Sequence, residues 1–265
     1  MGTRMTEYTQ RTHTTKLTSM RTELRLPRES PLVEQGSADA PAIAGMPLLR
    51  LLQLSSPALP IGAFAYSQGL EQAVALAWVT DEASAQTWIL GLLSGGVACL
   101  DLPVMVRLFR AFEREDLSAA EGWSGFLLAS RSSEELQMED RHLGTALARV
   151  LDGLGVAGAA RWIGSQIATH ATLFALAAVR WQVPLPTALA AFSFTWTEAQ
   201  VGAATRLCPL GQQAAQRILS LALPAMDAAA AAALALEDDD IGSTAPAQAI
   251  ASALHETLYS RLCRS

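Results

Sequence analysis

Apolar residues recur every three or four positions through most of this chain. Between residues 102 and 112 they form one face of a helix, made of Leu102, Met105, Leu108, Phe109 and Phe112. The segment 134–151 has the same period, and its apolar positions are Leu136, Leu143, Leu147, Val150 and Leu151. The pattern predicts an α-helix over each of these two segments.

One acidic residue interrupts the second stripe. Asp140 projects between Leu147 and Leu151 at the helical angle per residue. Because burying an unpaired carboxylate costs free energy, Asp140 needs a partner. Arg217 presents the same problem with the opposite charge, since it falls on an apolar stripe of its own segment. We predict a buried ion pair between helices, and Asp140 with Arg217 is one candidate pairing.

Three further helices are predicted in the C-terminal half. The first covers 210–223 and ends at Pro224, because proline does not continue a helix. The second is the alanine-rich run 226–236, a strong helix former. Acidic residues and the turn-forming Gly242, Ser243 and Pro246 follow it, and the last helix is predicted over 247–262.

The fold class predicted is all-α, a compact single-domain helical bundle over residues 46–265. No segment shows the period-two alternation of a strand, and no tight hairpin signal occurs. Residues 1–45 are rich in threonine and basic residues and lack apolar periodicity, so we predict a disordered N-terminal extension there. A targeting signal is the alternative, although the segment also carries Glu7, Glu23 and Glu29.

Composition narrows the possible partners and compartments. The formal net charge is −6 and no basic stripe occurs, so nucleic acid is not an expected partner. The apolar stretches 83–100 and 162–179 are about as long as short membrane spans, but the polar residues in both favour buried helices of a bundle outside the membrane. Three isolated cysteines, Cys99, Cys208 and Cys263, suggest a reducing, cytoplasmic location.

Motifs that would carry catalysis are missing from the sequence. The glycines at 91, 95 and 96 lack the lysine and Ser/Thr of a phosphate-binding loop. The four histidines are far apart, and no Gly-x-Ser-x-Gly turn occurs. The sequence therefore predicts a protein that is not an enzyme and has no cofactor or resident metal.

The most distinctive segment is LLQLSSPALPIGAFAYSQGLE, residues 51–71. Two prolines, two glycines and two aromatic residues in so short a run describe an ordered turn that brings Phe64 and Tyr66 toward a helix start. Taken alone, the composition of the segment favours a helix-connecting loop with core aromatics over a functional site. It is also similar to the N-terminal signature of the UreF family of urease accessory proteins.

Three other family-like stretches follow in the same order. They are SSEELQMEDRHLG at 132–144, the run from Gln200 through CPLGQQAAQRILSLALP at 208–224, and HETLYSRLCRS at 255–265. The four matches together span residues 46–265, so the chain resembles UreF over nearly its whole predicted domain. The resemblance implies an all-helical chaperone or scaffold without catalytic activity.

The same resemblance implies the partners of the chain. UreF-like proteins pair with themselves as homodimers and bind a second accessory protein, UreD, also called UreH. That assembly recruits the nickel-carrying GTPase UreG and delivers nickel to apo-urease. The resemblance also suggests that the chain modulates GTP hydrolysis by UreG.

Candidate partner-binding residues follow from the matched motifs. Phe64 stands at an aromatic position that the family links to complex assembly, and Tyr66 is close by; core packing is the alternative for both. Arg261 matches a C-terminal arginine tied to partner recruitment, and Tyr259 lies in the same motif. By helical phase we expect Arg261 on the apolar face of the last helix with Ile250, Leu254 and Thr257. A simple complement to the helix dipole is the alternative for Arg261.

Two other groups remain open between structural and functional roles. Glu139, Asp140 and Arg141 either serve the fold or face UreG and a nickel path. Gln212, Gln213 and Gln216 are either a polar interface or a solvated face, and Arg217, if it is not part of a buried pair, is a further partner-binding candidate. Rival explanations for the chain are a helical adaptor unrelated to urease, an enzyme without a recognisable motif and a metal-storage protein.

Overall fold

The computed structural model describes residues 43–265, and the predicted extension 1–45 lies almost wholly outside them. The described part contains helices and turns and no strand, which confirms the all-α prediction. Its α-helices are α1 Gly45–Leu54, α2 Leu70–Ala75, α3 Glu82–Leu92, α4 Leu102–Glu113, α5 Leu117–Ala129, α6 Glu134–Gly153, α7 His170–Arg180, α8 Leu185–Leu207, α9 Gln212–Ala235 and α10 Pro246–His255. Short 3-10 turns lie at Ala63–Ala65, Ala160–Trp162 and Asp238–Asp240.

Helix α4 runs through the centre of the bundle. It packs against α5, α7, α8 and α9, and most of its residues are buried. The predicted stripe of 102–112 therefore matches the observed helix to within one residue. A π-helix, Leu93–Asp101, joins α3 to α4, so the predicted buried helix over 83–100 is also observed.

Helix α6 begins and ends close to the predicted limits. Ser133 caps its first turn by accepting a hydrogen bond from the backbone N–H of Leu136 at 3.2 Å, and Glu134 and Glu135 lie at the positive end of the helix dipole. Its apolar residues Leu143, Leu147 and Leu151 are buried against α7 and the core, which fixes the orientation of the polar residues between them.

The prediction that a helix ends at Pro224 is wrong. Helix α9 continues through Pro224 to Ala235. Proline inside a helix removes one backbone hydrogen bond and costs about 3 kcal/mol. Here Ala222 and Met226 on either side of the proline are buried in the core, while Pro224 itself is exposed. Packing of this helix against α8 offsets the local cost.

Two other helix limits also differ from prediction. The segment 162–179 is α-helical only from His170, because Thr169 caps α7 by accepting a hydrogen bond from the N–H of Thr172. The last helix, predicted over 247–262, ends at His255. Residues 256–265 form a non-helical C-terminal tail, in which the backbone N–H groups of Leu262 and Cys263 donate to the side chain of Glu71 on α2.

Two continuous helical stretches are long and apolar enough to cross a membrane by length and composition. They are Glu82–Glu113 and Gln212–Ala235. In the most apolar part of the first stretch 61% is buried inside the protein, and in that of the second 33% is buried. Core helices of bundles pass the same test, so the two stretches are weak evidence for a membrane span.

Candidate functional site

The distinctive segment 51–71 forms a turn whose two aromatic side chains lie in different environments. Gly62 and Gly69 have positive φ angles of 79° and 84°, which glycine adopts without strain. A Cβ at Gly69 would lie 3.1 Å from the backbone N of Ser252, so this glycine also permits close approach of α10. The turn leaves the side chain of Phe64 exposed to solvent and buries that of Tyr66.

Tyr66 is held inside by a hydrogen bond. Its hydroxyl lies 2.9 Å from Nδ1 of His142 on α6. Burial raises the pKa of Tyr66 above its usual value, and the nearby carboxylate of Glu139 adds to the effect. Phe64, by contrast, exposes 73% of its surface. The two candidates therefore separate: Tyr66 supports the site from within, and Phe64 is presented to solvent.

The C-terminal tail folds back onto this turn. The backbone N–H of Ser67 donates to the carbonyl of Ser265 at 2.8 Å, and the N–H of Arg264 donates to the carbonyl of Ala65 at 2.8 Å. Ser265 is fully buried, although chain ends usually fray. The tail thus lies alongside the turn 62–71 as an additional backbone-bonded segment.

Glu71, on α2, binds backbone N–H groups of the tail through its carboxylate. Its carboxylate accepts hydrogen bonds from the N–H groups of Leu262 at 2.6 Å and Cys263 at 2.7 Å. Nε2 of His255 lies 3.2 Å from the same carboxylate. Burial would raise the pKa of Glu71, but these hydrogen bonds outweigh it and hold the pKa below its ordinary value.

A second carboxylate, Glu135 on α6, binds the tail through side chains. Its two oxygens contact Nδ1 of His255 at 2.8 Å and Nη1 of Arg261 at 2.8 Å. The expectation that Arg261 extends the apolar face of the last helix is therefore wrong. Arg261 lies beyond that helix, and Ile250 and Leu254, its supposed companions, are about half exposed.

The third carboxylate, Glu139, is buried beneath the tail. It accepts a hydrogen bond from Nε2 of Gln68 at 2.7 Å and one from the hydroxyl of Ser265 at 2.9 Å. Gln68 is oriented in turn by Nε1 of Trp196, which donates to its amide oxygen at 2.9 Å. Burial raises the pKa of Glu139 to about 7. Two neutral donors do not fully replace water around this carboxylate.

Asp140 has a buried partner, but it is not Arg217. Nε of Arg131 lies 2.6 Å from Asp140, and the other guanidinium nitrogens contact both oxygens of Asp101 at 2.5 and 3.1 Å. Burial would lower the pKa of Arg131, but the two carboxylates raise it well above its usual value. The prediction of a buried pair is confirmed and its proposed pairing is wrong.

Arg217 lies on an exposed face of α9. It forms a pair with Glu82 at 2.7 Å, and more than half of its side chain is accessible. The prediction from helical phase that Arg217 is buried is wrong because α9 buries mainly alanines and leaves larger residues such as Leu221 exposed. Gln212 and Gln216 are likewise exposed on α9, and Tyr259 is fully exposed in the tail.

Sequence reasoning missed Arg131, Glu71 and Glu135. Arg131 lies in the short connection between α5 and α6, and no periodic pattern marks such a position. Glu135 could have been noticed as a capping acid in the first turn of α6, but its pairing with the distant His255 and Arg261 had no local signal. His170, next to the Asp140 pair, has its pKa lowered to about 4 by burial.

No group of three or more His, Cys, Asp or Glu residues within residues 43–265 is arranged to hold a metal ion. Cys99, Cys208 and Cys263 are free thiols, and burial raises the pKa of the two latter ones. Here the carboxylates instead bind backbone N–H groups, an arginine and a histidine of the same chain.

The fold and the site together define a class of protein. It is all-helical, and the carboxylates of Glu71, Glu135 and Glu139 hold its C-terminal tail against the turn 62–71. Comparison with known proteins gives the family. Residues 79–223 match the UreF family model. The chain is 47% identical to the urease accessory protein UreF of Alkalilimnicola ehrlichii over 221 residues, which are 83% of this chain and 97% of that protein.

Two other relatives carry the same name. The urease accessory protein UreF of Hahella chejuensis is 42% identical over 82% of this chain and 98% of its own length. That of Pseudomonas putida strain F1 is 46% identical over 82% of this chain and 97% of its own length. The chain belongs to the UreF family, as its sequence motifs predict.

Proposed function

We propose that the chain is a non-catalytic scaffold for urease maturation. In this role it binds UreD (UreH) and the GTPase UreG and supports insertion of nickel into apo-urease in the cytoplasm. Family membership is the observation that carries the proposal, since every relative described above is named as a urease accessory protein. Modulation of GTP hydrolysis by UreG and pairing of two copies of the chain belong to the same proposal.

The geometry suggests how the scaffold presents a surface. Glu71, Glu135 and Glu139 hold the tail in a defined path, and the turn beside it leaves Phe64 accessible. Exposed aromatic side chains on rigid supports are typical interface anchors. Arg261 then acts by fixing the tail to Glu135, while Phe64, Arg141 and Tyr259 offer direct contacts.

Deleting the gene tests the proposal. Urease should still be made but should contain little nickel, and the wild-type gene supplied in trans should restore both nickel content and activity. Nickel is measured on purified urease by atomic emission. Fully nickel-loaded urease in the deletion strain would contradict the proposal and favour a helical adaptor unrelated to urease.

A pair of variants examines the turn itself. Phe64→Ala should lower recovery of UreD and UreG with the tagged chain by at least about tenfold, as expected for an interface anchor. Phe126→Ala is the matched control, because this phenylalanine is also partly exposed but lies on α5. Equal recovery with both variants would remove Phe64 from the interface.

A further inference from the structure

A groove of about 610 Å³ lies between α6, the turn 62–66 and the tail. We call it the arginine groove, because Arg141, Arg149 and Arg264 line it together with His142. None of its lining residues is Asp or Glu, although the chain as a whole has a net charge of −6. Positive charge is therefore concentrated at this place against the balance of the chain.

The three arginines have no carboxylate partner among residues 43–265. Elsewhere in this part of the chain, Arg161 pairs with Glu121 at 2.6 Å and Arg180 pairs with Glu115 at 2.7 Å, whereas Arg110 and Arg114 form no ion pair and do not line this groove. The ion pairs formed by the described residues do not include Arg141, Arg149 or Arg264. Their guanidinium groups remain able to bind an external anion with paired N–H donors.

Part of the remaining wall of the groove is apolar, and Thr145, Ser165 and Gln166 add polar groups. Phe64 and Met138 line it and are 73% and 39% exposed, and Ile61 and Ala146 also contribute. Along α6, Met138, His142, Thr145 and Arg149 follow one another at three- and four-residue spacing, so one helix face supplies both an apolar and a cationic contact. A small inorganic anion would leave the exposed Phe64 and Met138 without a contact.

We propose that the arginine groove docks an acidic segment of a partner protein, one that carries an aromatic or aliphatic anchor among its carboxylates. Carboxylates of the segment pair with Arg141, Arg149 and Arg264, and its apolar side chain packs against Phe64. Only the identity of the partner rests on the function proposed above. The acidic chemistry of the segment follows from the groove.

Binding of a defined peptide tests the inference on the full chain. The probe is a fluorescein-labelled peptide of glutamate pairs separated by phenylalanine, and its dissociation constant is measured by fluorescence anisotropy. Wild-type protein should bind the probe, and the Arg141→Glu/Arg149→Glu variant should bind at least about tenfold more weakly. Binding to wild type should also weaken between about 50 and about 300 mM salt, because exposed charges are screened.

The control variant carries the same change in charge elsewhere. Arg110→Glu/Arg114→Glu alters two exposed arginines at the end of α4 that form no ion pair within the described residues. It should bind the probe within about twofold of wild type. Thermal unfolding of each variant establishes that it is folded, and Phe64→Ala, which removes an exposed side chain only, should weaken probe binding without any change of charge.

Three results would overturn the proposal. One is equal affinity of wild type and the groove variant for the probe, including no binding by either. Another is displacement of the probe by millimolar inorganic phosphate, which would make the groove a small-anion site. The third is self-association of wild type that the groove variant abolishes, since the occupant would then be a second copy of the chain. A failed nickel-loading experiment would leave all three readouts unaffected.

Discussion

The centre of the bundle and the layer around the C-terminal tail are held by different forces. At the centre, Phe112 packs edge-to-face on Trp162 with ring centroids 6.2 Å apart, and Phe174 packs in the same way on Phe192 at 5.3 Å. These rings are buried and their contacts are mostly apolar. Around the tail, three buried or half-buried carboxylates bind N–H and O–H groups of residues 255–265.

The comparison distinguishes interactions that stabilise the whole fold from interactions that fix the position of one segment. Apolar burial is roughly proportional to area and tolerates small shifts, whereas each hydrogen bond to Glu71, Glu135 or Glu139 requires one geometry. The position of the tail therefore depends on its hydrogen bonds to these carboxylates and on their protonation. Such contacts suit a binding surface that needs one defined conformation. The same contacts allow a partner or a change in pH to alter that conformation.

The largest effect should come from the buried charges that join the two regions. Arg131→Ala leaves Asp101 and Asp140 buried without a cation, which typically costs about 3–5 kcal/mol in the free energy of unfolding. Urea denaturation measures this loss. Asp140→Ala should cost less, since Arg131 keeps both contacts to Asp101. A larger loss for Asp140→Ala than for Arg131→Ala would show that the arginine is not the centre of the cluster.

Glu139 should make the polar layer sensitive to pH. Its folded-state pKa of about 7 lies above the ordinary value of 4.5, so the folded protein takes up a proton that the unfolded chain has released. The stability associated with neutral Glu139 is therefore present below pH 4.5 and is lost as pH rises through about 7.

Glu139→Gln, which stays neutral, should then be more stable than wild type at high pH. The gain should approach roughly 3 kcal/mol at about pH 8 and shrink toward pH 5, following about 1.4 kcal/mol for each pKa unit. Denaturation of both proteins across this range provides the measurement. A difference between them that does not change with pH would mean that Glu139 titrates normally.

A small change in an apolar region should be felt at any pH. Ile89→Val removes one methylene from a fully buried side chain and should cost about 0.5–1.5 kcal/mol. The loss should be the same at pH 5 and pH 8, because Ile89 packs in a cluster of buried hydrophobic residues. A pH-dependent loss would blur the distinction between the two regions.

The smallest effect is expected at the exposed pair on α9. Arg217→Ala removes the contact with Glu82, and exposed ion pairs contribute little because water and salt screen them. Wild type and variant should unfold at the same urea concentration within error. A clear shift would revive the expectation that Arg217 belongs to the buried charge network.

Much of the helical framework could be predicted from local pattern. The stripes of α4 and α6 set their phase and length, because burial of one face repeats every three or four residues. The need of Asp140 for a cation also followed from its place in a stripe. Tyr66 and Glu139 lie in two of the segments that resemble the family, and the structure brings them together beneath the tail.

Only the tertiary structure decided the partners of the buried charges and the ends of α9 and α10. Continuation of α9 through Pro224 depends on burial of Ala222 and Met226 against other helices, which no local propensity contains. The last helix ends at His255, and Glu71, almost two hundred residues earlier, accepts the N–H groups of Leu262 and Cys263 in the tail that follows it. Amphipathic period is a property of neighbouring residues, whereas pairing of buried charges depends on which distant segments the packed helices bring together.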